Sequence, residues 1–135
     1  MNLNRKKILH ISLVLTSLFI VLGCAGIGDY SIDLPGRLKV NRISAENIVN
    51  SSHDGVGTTI IPAKIIQVGW DDDYVLAKQY DDANGNEYYW IINVHTEKTF
   101  GPLAYQEYLN KKDELDISKD IKLLDLDQFE KNYFE

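Results

Sequence analysis

Tyr74-Val75-Leu76-Ala77-Lys78-Gln79-Tyr80, then Asp81-Asp82-Ala83-Asn84-Gly85-Asn86-Glu87, then Tyr88-Tyr89-Trp90-Ile91-Ile92-Asn93-Val94 is the stretch from which the fold can be read. Two runs rich in β-branched and aromatic residues flank a polar break. Asn84-Gly85 tolerates positive φ at both positions, which marks a hairpin turn. In the second run Tyr88, Trp90, Ile92 and Val94 point one way and Tyr89 and Ile91 the other. A strand that is apolar on both faces is normally covered on both, which places this one inside a sheet.

Outward from this hairpin the pattern stays β. Residues 60–70 are rich in β-branched residues, with Ile66, Val68 and Trp70 on one face, and Asp71-Asp72-Asp73 ends the run. Residues 50–59 are polar and contain Gly, and read as a mobile loop. Residues 44–49 fit either a helical turn opening at Ser44 or a continuing strand. Before them, residues 30–34 alternate polar and apolar, Pro35-Gly36 is a turn, and Leu38 and Val40 begin a second strand.

Beyond the hairpin, residues 95–98 connect to a short strand at Thr99-Phe100, which Gly101-Pro102 ends. The period then changes. Ala104, Tyr105, Tyr108 and Leu109 recur at helical steps, which predicts an amphipathic helix over residues 103–114. Residues 117–124 read as a loop and a short edge strand. Asp127 with Glu130 resembles a helix start and predicts a closing helix to residue 133, burying Leu126 and Phe129. The expectation is an α+β domain: an antiparallel meander of about five to six strands with one or two C-terminal helices packed on it.

The N-terminus carries a different signal. Arg5-Lys6-Lys7 precedes an apolar run over residues 8–22, and Val21-Leu22-Gly23-Cys24 follows. The run has 15 residues and includes His10, Ser12, Thr16 and Ser17. A bilayer span needs about 20 mostly apolar residues, so this length suits a signal peptide. The end of the run reads as a lipobox, with cleavage between Gly23 and Cys24 and a diacylglyceryl group on the Cys24 thiol. Leu22 is bulkier than the residue usual at its place. Acylation also accounts for a lone cysteine in an oxidising compartment. The expected organisation is a removed signal at residues 1–23, an anchor and spacer at 24–30, and a single domain at 31–135. The location is the extracytoplasmic face of the cell membrane.

The whole chain has 14 basic and 20 acidic residues, and all three basic residues of the signal leave with it. The mature part is therefore strongly acidic, which argues against a nucleic-acid partner. No cofactor is expected, and no residue pattern points to catalysis. Once Cys24 is acylated there is no thiol nucleophile, and His53 and His95 sit in a loop and a turn without a partner motif. Asp71-Asp72-Asp73 and the 81–87 loop are rich in oxygen ligands, but they lie at opposite ends of one strand. An EF-hand pattern laid from Asp82 fails at Glu87 and Asn93, so the loop reads as a solvated turn.

The aromatic residues offer a binding surface. Tyr74, Tyr88 and Tyr89 on the strands and Tyr105 and Tyr108 on the helix are the candidate contact residues. The function expected is a small binding module of the cell envelope that meets an envelope protein or a cell-wall component. An immunity or inhibitor lipoprotein, whose acidic loops meet a basic toxin or hydrolase, is the alternative. An envelope hydrolase is a further one.

Three stretches together resemble a family of small Gram-positive lipoproteins classed as domain of unknown function 3997. They are Gly23-Cys24-Ala-Gly-Ile-Gly-Asp-Tyr-Ser-Ile-Asp-Leu-Pro-Gly36, residues 60–78, and Tyr89-Trp-Ile-Ile-Asn-Val94 with Phe100-Gly-Pro-Leu103. The resemblance implies a surface location and a single-domain fold. It implies no reaction and no site residue.

Overall fold

Pro62-Ala63-Lys64 divides the chain between two sheets. The computed structural model describes residues 28–53 and 56–133. The signal segment and Cys24 lie outside the described residues. Before the Pro62 break, β1 (Tyr30–Asp33), β2 (Leu38–Ile43), β3 (Glu46–His53) and β4 (Val56–Ile61) form an antiparallel ladder. After it, β5 (Ile65–Trp70), β6 (Tyr74–Asp81), β7 (Asn86–Asn93) and β8 (Thr99–Leu103) form another. The helix α1 (Tyr105–Glu114) follows, then β9 (Leu124–Asp125) and β10 (Asn132–Tyr133). β10 joins the edge of the first sheet at β1, and β9 joins the second at β5. The strand orders are β10-β1-β2-β3-β4 and β8-β7-β6-β5-β9.

The expected α+β class is corrected by this arrangement. The fold is β-sandwich-like, with two five-stranded sheets and one ten-residue helix among the described residues. The run over residues 60–70 is not one strand. Proline lacks the amide that a ladder uses, so the chain turns at Pro62 and serves both sheets. Of the expected loop over residues 50–59, residues 50–53 lie in β3 and 56–59 in β4, paired antiparallel, and His53 ends β3. The polar character of residues 57–59 fits an edge position. β4 pairs on one side only, and Gly57, Thr58 and Thr59 are exposed. The expected closing helix is a single 3-10 turn at Leu126–Gln128. Phe129 leaves that turn extended and stacks on Trp70 at 4.8 Å. The Asp127 carboxylate pairs with Lys131 instead of capping amide groups.

The sheets enclose the main core, with Ile32, Leu38, Val40, Val49 and Ile61 from one and Val68, Val75, Trp90 and Ile92 from the other. A second core lies on the far side of β6 and β7, where Leu76 and Ile91 meet Tyr108, Ile117 and Ile121. β7 is thus covered on both faces, as its residue pattern predicts. Trp90 Nε1 donates to Gln79 Oε1 at 2.8 Å, and Gln79 Nε2 donates to the Ala63 carbonyl at 2.8 Å. This buried relay ties the second sheet to the link between the sheets.

The β2–β3 hairpin turns on Ser44 and Ala45, at φ 54° and 69°. Positive φ at both central positions is the requirement of a type I′ turn, which Asn-Gly meets and Ser-Ala does not. The sequence therefore hides this turn. Left-handed backbone costs a non-glycine residue on the order of 1 kcal/mol. Ser44→Asn with Ala45→Gly is expected to raise stability by about 1 kcal/mol, read as a higher urea midpoint. An unchanged or lower midpoint would count against the strain.

Candidate functional site

Three of the five candidate tyrosines converge on the outer side of the second sheet. Residues of β7 alternate across the sheet, so Tyr89 shares a face with Ile91 and looks toward α1. The helix starts at Tyr105 after Ala104, whose amide donates to Glu107 Oε2 at 2.9 Å. Three residues on, Tyr108 faces the sheet. Tyr89 and Tyr108 stack at 4.9 Å, and Tyr105 lies 5.3 Å from Tyr89 and 6.4 Å from Tyr108. Tyr108 is buried, Tyr89 half-buried, and Tyr105 is 57 % exposed. Tyr74 packs partly buried against the same apolar layer. Tyr88 does not join them. It lies on the sandwich side of β7, where its hydroxyl accepts from Asn84 Nδ2 at 3.1 Å.

Lysines rim the cluster. Lys78 stands 5.7 Å from the Tyr89 ring centre and Lys112 5.6 Å from that of Tyr108. Lys98 and Lys111 stand 5.1 and 5.3 Å from the Phe100 ring. Such cation–π contacts hold long side chains in place at modest cost in rotamer freedom. Lys78 pairs with Glu87 at 2.8 Å, a hydrogen bond that raises the lysine pKa. Lys111 pairs with Glu114. Lys98 and Lys112 have no carboxylate at ion-pair distance among the described residues. The lysines come from β6, the β7–β8 turn and α1, so no local motif announces them.

Burial pushes the Tyr108 phenol from its ordinary 10 up to about 12, with Tyr89 and Tyr105 adding to the rise. Below pH 10 the folded and unfolded chains both keep this proton, and its contribution to stability is complete. Between pH 10 and 12 the unfolded chain has released it and the native chain has not, so stability falls as pH rises. Ultraviolet phenolate titration should show a late phase that Tyr108→Phe removes. Loss of stability over the same window should be smaller in that variant. A titration curve unchanged by Tyr108→Phe would refute the assignment.

The other candidate groups are structural. Asp71 Oδ1 accepts from the amides of Asp73 and Tyr74, and Asp81 Oδ1 from that of Ala83, so these carboxylates build turns. The two acidic loops lie at opposite ends of β6. Among the described residues no group of three or more His, Cys, Asp or Glu could hold a metal ion. His95 Nε2 lies 2.8 Å from Asp73 Oδ1 in an exposed pair. Ser51 Oγ donates to Glu97 Oε1 at 2.9 Å.

These features define a small two-sheet domain with an aromatic and lysine-rimmed surface. The chain belongs to the DUF3997 family of proteins of unknown function, whose family model matches residues 35–127. No curated protein and no solved structure matches it.

Proposed function

We propose that the protein is a lipid-anchored lipoprotein of the Gram-positive cell envelope whose domain works by binding an envelope component. Arg5-Lys6-Lys7, the apolar run and Gly23-Cys24 support the anchor. The observation that carries the binding role is exposed Tyr105, on a tyrosine stack that Lys112 borders, with Lys98 over the Phe100 ring of the same apolar layer. An aromatic plane beside unpaired ammonium groups, on an otherwise acidic chain, suits a partner with anionic groups next to flat or apolar surface.

In-cell crosslinking followed by mass spectrometry tests the surface. One component captured by the parent and lost from Tyr105→Ala/Lys112→Ala supports the reading, and capture unaffected by that variant sinks it. The anchor has its own test. Cys24→Ala should block cleavage and release the protein from lipid retention, and a variant still processed to the mature size would refute the lipobox.

An immunity or inhibitor role is the second reading. It is supported by Asp72 and Asp82, exposed carboxylates that make no turn hydrogen bond among the described residues. Asp72→Asn/Asp82→Asn should then abolish stoichiometric binding to a basic protein. Neutralising Asp71 or Asp81 would instead damage the turns.

A further inference from the structure

A groove of about 450 Å³ opens where the chain enters the domain, lined by Tyr30, Arg42, Asn47, Lys64, Asp125 and Asp127. Of its two carboxylates, Asp127 pairs with Lys131, and Asp125 accepts from the Gln67 amide at 3.0 Å. Neither Arg42 nor Lys64 has a carboxylate at ion-pair distance among the described residues. Arg42 is held 5.8 Å from the Tyr30 ring centre and helps from longer range to lower the Asp127 pKa, so its guanidinium is positioned without a direct ion pair. Asn47 Oδ1 is buried in the same groove and has no hydrogen-bond partner. The site thus has two donors suited to an anion and one acceptor lacking a donor.

Position narrows the ligand. Five residues, 25–29, separate Cys24 from Tyr30, a reach of about 20 Å over the six steps of chain. Tyr133 is exposed and pairs with Tyr30 across the sheet edge, with the two rings 6.0 Å apart. An exposed tyrosine near cations suits the polar boundary of a bilayer.

We propose that this groove receives the phosphoglycerol headgroup of an anionic phospholipid in the membrane that holds Cys24, an inference that rests on the anchored reading. The phosphate would accept from Arg42 and Lys64, and a glycerol hydroxyl would donate to Asn47 Oδ1. The short tether supplies the effective concentration that an acidic domain needs to meet an anionic surface.

Cys24 is the only cysteine, so the mature chain can be coupled through its thiol to a maleimide lipid in bilayers of defined composition. Amide hydrogen exchange over residues 42–47 is then read by mass spectrometry. Exchange should slow about fivefold or more on phosphatidylglycerol relative to phosphatidylcholine, the effect of about one cation at an anionic surface. Arg42→Ala/Lys64→Ala should remove the slowing, and so should Lys64→Ala alone, which leaves the Arg42–Tyr30 contact in place. Lys98→Ala/Lys112→Ala on the helix side should retain it. Equal exchange on both bilayers, or slowing lost only in the helix-side variant, overturns the proposal. Equal slowing by soluble glycerol phosphate without a bilayer overturns the headgroup assignment. The chemical tether does not depend on native lipidation, so failure of the anchor reading shows separately in the processing of Cys24→Ala.

Discussion

Gly69→Ala is expected to cost about 3 kcal/mol or more and to lower the urea midpoint by a large fraction of its value. A Cβ built on Gly69 would stand 2.1 Å from the Lys122 carbonyl oxygen and 2.9 Å from its carbon. Both are backbone atoms, so no side chain can swing aside. Relief requires the segment after α1 to lift off β5. That movement would disturb the Val68–Leu124 and Gln67–Asp125 pairings and loosen Ile121, a member of the outer core. The loss would therefore include the lid of that core as well as a local clash. A midpoint equal to the parent's would show that the segment yields freely and that β9 is not a fixed part of the sheet.

Ile91→Ala and Ile92→Ala should each lose about 2–5 kcal/mol, the range for emptying a packed aliphatic site. Both side chains have no exposed surface, yet they project to opposite faces of β7. Ile92 fills the space between the sheets, and Ile91 lies beneath Tyr108. A sheet with one wetted face would tolerate one of the two substitutions. Denaturant unfolding of both variants decides the matter. A loss below about 1 kcal/mol for Ile91→Ala would mean that the helix layer is not a true core.

The candidate site was half legible in the sequence. Tyr105 and Tyr108 fall on helical steps and Tyr89 on the two-residue alternation of a strand, so each could be named. Their meeting depends on how α1 crosses the sheet. The Lys78, Lys98 and Lys112 rim carries no sequence signature, because each lysine lies on a different element and most lysines are merely solvated. The groove at Tyr30 was invisible for the same reason. Arg42, Asn47 and Lys64 gather there only because β10, β1, β2 and β3 stack beside the chain that leaves β4.

Local chemistry alone was enough for the central hairpin, the Pro35-Gly36 turn, the two-faced burial of β7 and the helix after Pro102. Each follows from side-chain period and backbone preference within a few residues. The division into two sheets did not follow, because Pro62 looks from the sequence like a flaw in one strand. Its meaning depends on which strands stand on either side of it. Ser44-Ala45 turns left-handed because long-range pairing of β2 with β3 overrides the local cost. The polar residues of β4 are strand because an edge needs backbone partners more than apolar side chains, and those of β3 are strand because it pairs with both β2 and β4. The C-terminus remains extended because Leu126 and Phe129 gain more by burial against the sandwich, and β10 by pairing with β1, than a short helix gains by its own hydrogen bonds.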